Sequence, residues 1–224
     1  MNVLIIGDLH APFIRKGYLE HCISVKKRFN CDKIVFIGDL IDGHGINYFE
    51  HDPDGYSSGT EYDEALKSLK DWYKYFPKAC LCLGNHDLLP FRKAFTIGLP
   101  KRWMRDIRDI FNIPKEWEIG FHHIIDNVFY THGTNLSGDN AAMKVANQNR
   151  QSSVIGHLHS VSNIKYSASY KDIIFAVTVG CGIDYKSYAF NYGKDLVAKP
   201  IISCAVVLNG KIPILIPQDI GNKS

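Results

Sequence analysis

The chain of 224 residues is 46 % hydrophobic and 22 % charged, with a formal net charge of +3. These values exclude a disordered or strongly acidic chain and are typical of a folded protein that buries a core. The length predicts a single domain spanning residues 1–224. The small positive charge permits an anionic substrate without requiring nucleic acid as a partner.

Strand-like and helix-like segments alternate through the first part of the chain. Short apolar runs that end near a glycine predict buried strands, and apolar residues at helical spacing predict helices. The alternation predicts an α/β layered fold with at least part of the sheet parallel. In chain order the segments are strand 3–6, helix 18–29, strand 33–37, loop 43–60, helix 62–75 and strand 79–83.

The second part of the chain has fewer predicted helices. A basic helix is expected at 101–110 and another helix at 140–149. No internal repeat or linker divides the chain, which supports one domain. The predicted strands are 121–125, 128–131, 153–155, 164–169, 172–179, 201–208 and 212–216.

The N-terminal segment and the cysteines indicate a compartment. The segment MNVLIIGDLH lacks a basic region and a small-residue cleavage site, so we expect no signal peptide. No apolar run approaches the roughly 20 residues that span a bilayer, so no membrane association is expected. The six cysteines include no CxxC pair. We expect reduced thiols in a cytoplasmic protein.

Five predicted strands are followed by residues that can bind a metal. Ligands of open α/β sheets lie beyond the carboxyl ends of the strands, so these five segments could meet in one place. Carboxylate and imidazole groups without a thiolate suit Mn²⁺, Fe²⁺ or Zn²⁺ better than soft ions. The segments are DLH at 8–10, GDLID at 38–42, GNHD at 84–87, THG at 131–133 and GHLH at 156–159.

Each segment alone has an ordinary structural explanation. Aspartate is favoured at helix N-caps, and asparagine and glycine are favoured in turns. The explanation weakens when all five follow strands in this order. Spacing of i, i+2 also places Asp8 and His10 on one side of an extended segment, and likewise His157 and His159.

In this order the five segments resemble the motifs of the calcineurin-like metallophosphoesterase superfamily. They span residues 8–159, about two-thirds of the chain. The resemblance implies an α/β fold, namely a four-layer α/β/β/α sandwich with two mixed sheets. It implies a dinuclear metal site at the C-terminal edge of the strands. It also implies that the helix-poor last third forms a second, mostly antiparallel sheet.

The resemblance assigns roles to individual residues. Asp39 would bridge two divalent ions, expected to be Mn²⁺ with Fe, Zn or Ni as alternatives. His86 would not bind metal but would protonate the leaving oxygen or stabilise developing charge. Asp42 would hydrogen-bond to His86 and fix its tautomer. The remaining ligands would be Asp8, His10 and His159 for one ion, and Asn85, His132 and His157 for the other.

Departures from one branch of the superfamily indicate the reaction. The protein Ser/Thr phosphatases carry an arginine directly after the second aspartate of GDxxD, where this chain has Gly43 and then His44. They also have glutamate at the position of Asp87. We therefore expect a phosphodiesterase that acts on a nucleotide or nucleic acid, with a hydroxide that bridges the two ions as the nucleophile. The alternatives are a phosphomonoesterase on the same site, for a small molecule or a protein, and an inactive scaffold of the same fold.

Candidate substrate contacts are fewer. Arg92, Lys93 and His44 lie close to the motifs and could meet phosphate. A nucleic-acid surface is conceivable around Trp103. Its basic residues, however, include pairs at i, i+4 spacing that would form ordinary helix ion pairs, namely Arg102–Asp106 and Arg105–Asp109. The sequence does not predict an oligomeric state.

Overall fold

Eleven strands and five α-helices are present in the computed structural model, which describes residues 1–48, 51–187, 189 and 197–218. Residues 49 and 50 of the expected loop 43–60 lie outside the described residues. The strands are β1 (Asn2–Ile6), β2 (Lys33–Phe36), β3 (Cys80–Cys82), β4 (Glu118–Gly120), β5 (His122–Ile125), β6 (Val128–Thr131), β7 (Ser153–Ile155), β8 (Asn163–Ala168), β9 (Ile173–Thr178), β10 (Ser203–Leu208) and β11 (Ile212–Pro217).

The helices fall between strands, and one of them, Leu89–Thr96, was not predicted. Two 3₁₀ turns, His44–Ile46 and Lys101–Trp103, add to them. None of the helices in the described ranges is long and apolar enough to cross a membrane. The helices are α1 (Tyr18–Arg28), α2 (Ser58–Tyr75), α3 (Leu89–Thr96), α4 (Ile107–Phe111) and α5 (Ala141–Asn149).

The strands form two mixed sheets. The first has the order β11-β10-β1-β2-β3-β4, in which β1 to β4 are parallel and β10 and β11 are antiparallel. The second has the order β5-β6-β7-β9-β8, in which β6, β7 and β9 are parallel and the two edge strands antiparallel. Two mixed sheets are what the resemblance of the motifs implies.

Alternation of side chains along β1 shows how the layers stack. Val3 and Ile5 are packed into the core between the two sheets, while Leu4 and Ile6 belong to the core under α1 and α2. Such alternation follows from the period of two in an extended chain. On the far side, α5 packs its alanines against Ile155 and the neighbouring strand. The layers therefore follow the order α/β/β/α.

The expectation for the last third of the chain is wrong in two respects. β10 and β11 do not join the second sheet but extend the first one beside β1. The second sheet is not mostly antiparallel, because α5 connects β6 and β7 as a crossover and keeps them parallel. An apolar run alone shows that a strand exists but not which strand it pairs with.

Helix boundaries also differ from the prediction. α2 begins at Ser58, because the hydroxyl of Ser57 accepts a hydrogen bond from the amide of Thr60 and caps the helix. The helix expected at 101–110 is wrong, since the 3₁₀ turn is followed by extended backbone at Met104. A new helix, α4, then starts at the Asp106 cap. Within the described residues neither predicted arginine–aspartate ion pair forms a salt bridge.

Candidate metal centre

Segments that follow five parallel strands meet at one edge of the two sheets. β1, β2 and β3 of the first sheet end there, and so do β6 and β7 of the second. Three overlapping groups of donor atoms result, each with its atoms within 4.8 Å of one another, and two of them consist of expected ligands alone. The expected ligands in them are Asp8, His10 and His159 in one group, and Asp39, His132 and His157 in the other.

Unusual backbone geometry brings these side chains together. His10, Asp39 and His157 have left-handed φ angles of 49°, 50° and 67°. Residues other than glycine rarely adopt this conformation, which is found at sites where the surroundings enforce it. Gly84 and Gly156 provide the room, because a Cβ at either position would overlap with a carboxylate oxygen of Asp39 or Asp8.

His132 shows why the second group suits a cation. Its Nδ1 lies 3.0 Å from the carbonyl oxygen of Ile37, and a carbonyl only accepts, so Nδ1 carries hydrogen. The other nitrogen, Nε2, faces acceptor atoms of three groups. It lies 3.2 Å from Asp39 Oδ2, 3.1 Å from Asn85 Oδ1 and 3.2 Å from His157 Nδ1.

The acceptor atoms around Nε2 of His132 favour a positive charge at this position. Burial alone would lower the pKa of His132, but the charges of Asp39 and Asp8 raise it to about 10. The imidazole thus holds a proton on Nε2 in the absence of metal. A divalent ion would provide the same positive charge to the same acceptors.

The first group has a buried acceptor that no described residue satisfies. Asp8 is fully buried, and its Oδ2 lies 3.2 Å from His159 Nε2 and accepts from the amide of His157 at 2.9 Å. No described residue donates a hydrogen bond to its Oδ1. A buried carboxylate oxygen without a donor is costly unless a cation meets it. The residues of both groups therefore fit divalent ions.

Asp39 lies between the two groups. Its Oδ2 is 3.6 Å from His10 Nε2 and 3.2 Å from His132 Nε2, and its Oδ1 accepts from the amide of His86 at 2.8 Å. Burial raises the pKa of Asp39, but the charges of His132 and His86 outweigh burial and hold it well below its usual range. An ionised carboxylate between His10 and His132 would be able to contact an ion held by either group.

His10 is oriented by Asp42 and kept neutral by its burial. Its Nδ1 donates to Asp42 Oδ1 at 2.6 Å, so Nε2 is the nitrogen that faces Asp39. Burial and the neighbouring His86 lower the pKa of His10, whereas Asp42 opposes them. A neutral imidazole is the form that binds metal, and a carboxylate on its other nitrogen is a common support for such ligands.

His86 lies beside Asp39, and its ring is held by Asp42. Its Nδ1 donates to the main-chain oxygen of Asp42, so the predicted contact between these residues exists, but through the backbone instead of the carboxylate. Burial lowers the pKa of His86, yet the charges of Asp39 and Asp42 prevail and raise it. The imidazole also lies close enough to His10 and Asp39 to join a metal-binding group.

A family model decides which proteins this chain resembles. The model of the calcineurin-like phosphoesterases matches residues 1–194, which include all five motifs. The chain belongs to the calcineurin-like phosphoesterase family. A search of curated proteins finds no match.

Solved structures similar to this calcineurin-like phosphoesterase share little sequence with it. A single mutant of Vps29 from Entamoeba histolytica has 13 % identity and a TM-score of 0.42, covering 97 % of this chain and 99 % of its own. YfcE, a phosphoesterase from E. coli, has 13 % identity and a TM-score of 0.45, covering 93 % and 89 %. The nuclease MPE of Pseudomonas putida has 13 % identity and a TM-score of 0.38, covering 96 % and 87 %. The assignment rests on the family model instead.

Sequence analysis assigned no role to Asp87, which organises two loops of the phosphoesterase site. It is fully buried and accepts hydrogen bonds from the amides of Asp39, Leu40 and Gly84 at 2.8–2.9 Å. Burial and the charge of Asp39 raise the pKa of Asp87 to about 6. Only its place in GNHD could have indicated this role from the sequence, because two of the three residues that donate to it lie more than 40 positions away.

The predicted substrate contacts lie in different environments. His44 is only 4 % exposed. Its amide donates to Glu61 Oε1 at 2.8 Å, so His44 belongs to the buried structure that supports the site. Arg92 and Lys93 lie on α3, both against the exposed ring of Tyr48. The Lys93 ammonium is 3.9 Å from the ring centroid, and the Arg92 guanidinium carbon 5.2 Å.

Proposed function

We propose that this calcineurin-like phosphoesterase hydrolyses a phosphodiester of a nucleotide or nucleic acid, with two divalent ions, Mn²⁺ being the proposed metal. The observation that carries the proposal is the Asp39 carboxylate, which faces His10 and His132 of the two donor groups while His86 lies beside it. Ions bound there would neutralise the phosphoryl oxygens and activate water as the nucleophile. The cytoplasm is the proposed compartment, supported by six buried, unbridged cysteines.

His86 is the proposed general acid. Because its Nδ1 donates to the Asp42 carbonyl, the second proton of a charged imidazole would be carried by Nε2. The charges of Asp39 and Asp42 raise the pKa of His86, which favours the form that carries this proton. The leaving alkoxide is a strong base, so proton donation at this atom lowers the barrier to its departure.

The backbone at Gly43 supports a diester substrate. Its φ angle of 67° is left-handed, and a Cβ there would come within 2.9 Å of Leu89 Cδ1. The chain therefore disfavours any side chain at the position where the Ser/Thr phosphatases carry their arginine. A phosphodiester has one negative charge fewer than a monoester dianion and has less need of that cation.

The surface formed by Tyr48, Arg92 and Lys93 supports a nucleotide. The ring of Tyr48 is 53 % exposed and has two cationic side chains beside it. An aromatic face flanked by basic groups suits a base that stacks and a phosphate that follows it along a strand. α3 begins two residues after Asp87, so in sequence this surface directly follows the GNHD motif of the metal centre.

Hydrolysis of two model esters tests the proposal. We expect Mn²⁺-dependent turnover of bis(p-nitrophenyl) phosphate, little turnover of p-nitrophenyl phosphate, and none of either by Asp39→Ala. The opposite preference would replace the diesterase by a phosphomonoesterase on the same site. Failure to hydrolyse either ester, or cyclic nucleotides or single-stranded DNA, with both ions bound by elemental analysis, would favour the inactive scaffold.

A further inference from the structure

Another group of side chains that could bind a metal lies outside the phosphoesterase site. Cys80 begins β3, whereas the phosphoesterase site follows the other end of that strand. Its Sγ lies within 4.8 Å of ligand atoms of Glu118 on β4 and His123 on β5. β4 and β5 are the edge strands of the first and second sheets. The group therefore sits at one side of the two stacked sheets, where β4 and β5 form their edges.

The backbone fixes the directions of these three side chains. Cys80 and Glu118 are partners in the parallel pairing of β3 and β4, so their side chains leave the sheet on the same side. The Nε2 of His123 donates to the carbonyl oxygen of Leu81 at 3.0 Å. This hydrogen bond leaves Nδ1 as the ligand nitrogen and orients the ring, as backbone carbonyls do for metal-binding histidines.

We propose that Cys80, Glu118 and His123 bind a divalent ion that prefers thiolate and imidazole ligands, with Zn²⁺ as the expected ion. Three protein ligands leave a fourth position for water in a tetrahedral site. An open cleft of about 550 Å³ beside the group has room for the ion and the water. The thiolate distinguishes this site from the phosphoesterase centre, whose ligands are carboxylates, imidazoles and an amide. The site does not depend on the proposed function.

Lys33 shows that the position already attracts a positive charge. Its ammonium donates to Glu118 Oε1 at 2.8 Å, and this hydrogen bond and the nearby Cys80 raise the pKa of Lys33. The Lys33 side chain is 34 % exposed on a flexible stem, and such exposed ion pairs contribute little to stability. Burial raises the pKa of the Cys80 thiol. Binding of Zn²⁺ would therefore release the thiol proton to solvent and move the ammonium out of the cleft.

Co²⁺ is the probe that separates this site from the phosphoesterase centre. The full-length protein is stripped of metal, kept reduced with a phosphine, and titrated with Co²⁺ while the near-ultraviolet thiolate-to-cobalt absorption is recorded. That absorption reports only cobalt bound to sulfur. We expect it in the wild type and in Asp39→Ala. We expect its loss in Cys80→Ser and its displacement by added Zn²⁺.

Further variants guard against loss of folding. Cys82→Ala removes a neighbouring buried thiol of the same strand and should keep the absorption, while Glu118→Gln should weaken Co²⁺ binding at least about tenfold. Lys33→Met should strengthen it, because the competing ammonium is gone. Absorption that survives in Cys80→Ser would overturn the proposal. So would its absence from the wild type, including the case in which only Lys33→Met shows it.

Discussion

The Asp42 carboxylate accepts a hydrogen bond from His10 Nδ1 at 2.6 Å, while the main-chain oxygen of the same residue accepts from His86 Nδ1. One residue thus orients a candidate metal ligand with its side chain and the proposed general acid with its backbone. The two roles separate under mutation, because replacement of the side chain leaves the carbonyl in place.

Asp42→Asn should therefore weaken metal binding more than it disturbs His86. Loss of a carboxylate behind a ligating histidine reduces metal affinity about 10- to 100-fold. Titration of the metal-free protein with Mn²⁺, followed by activity, should show a raised half-saturating concentration and near-normal turnover at excess metal. Asp71→Asn, which alters an exposed carboxylate on α2, is the control. Unchanged Mn²⁺ dependence would refute the role of the carboxylate.

His86→Ala should reduce turnover and keep both ions. General acid catalysis contributes about 100- to 10,000-fold, and most when the leaving group is a strong base. The loss should be small for bis(p-nitrophenyl) phosphate, whose leaving group is stable as an anion. It should be large for a dinucleotide, whose leaving alkoxide needs a proton.

Elemental analysis separates the two roles that the geometry permits for His86. Two ions bound per chain in His86→Ala would agree with a proton donor. Loss of an ion would make His86 a ligand, as its closeness to His10 and Asp39 allows. An equal loss of rate for both leaving groups would also count against proton donation.

The sequence predicted the parts of the fold that depend on local pattern. Apolar runs that end at glycine located β1, β2, β3 and β7, and the family motifs named the candidate ligands that follow these strands. The edge strand β4 was missed, because its three residues, Glu118–Gly120, show no apolar run. The pairing of β10 with β1 joins residues about 200 positions apart, and no local pattern encodes it.

The supporting contacts of the site were harder to predict than its ligands. A motif names the residues that touch metal, but the hydrogen bonds behind them depend on how distant loops dock. The Asp42 carboxylate could have reached either His10 or His86, and only the fold decides between them. The three amides bound by Asp87 come from two loops, which the sequence does not show to be adjacent.

Metal binding should release a proton and strengthen as pH rises. In the metal-free protein the pKa of His132, about 10, lies above its ordinary value of 6.5, so the imidazole is charged at neutral pH. A ligand must be neutral, and hence about one proton should leave His132 when the metal enters near pH 7.5. Calorimetry in buffers of different ionisation enthalpy counts the protons released. A count of zero would contradict the charged state.

The same shift affects the stability of the metal-free protein. The pKa of His132 is higher in the folded state than in the unfolded chain. Its charged form therefore contributes stability that is complete below about pH 6.5 and is lost as the pH rises through about 10. Urea unfolding of the stripped protein should therefore show decreasing stability between pH 7 and pH 10. The metal-loaded protein should lose less over this range. Equal pH dependence of the two forms would show that His132 is not the titrating group.

Tyr48→Ala should weaken the use of nucleic acid without changing the chemistry. Stacking of one base on an aromatic ring contributes roughly 1–3 kcal/mol, so KM for a single-stranded oligonucleotide should rise roughly 5- to 150-fold. Turnover of bis(p-nitrophenyl) phosphate should be nearly unchanged. Tyr75→Ala is the matched control, since Tyr75 is similarly exposed and has the Lys74 ammonium 5.8 Å from its ring centroid at the far end of α2. If both variants behave alike, Tyr48 is an ordinary surface residue and the substrate enters elsewhere.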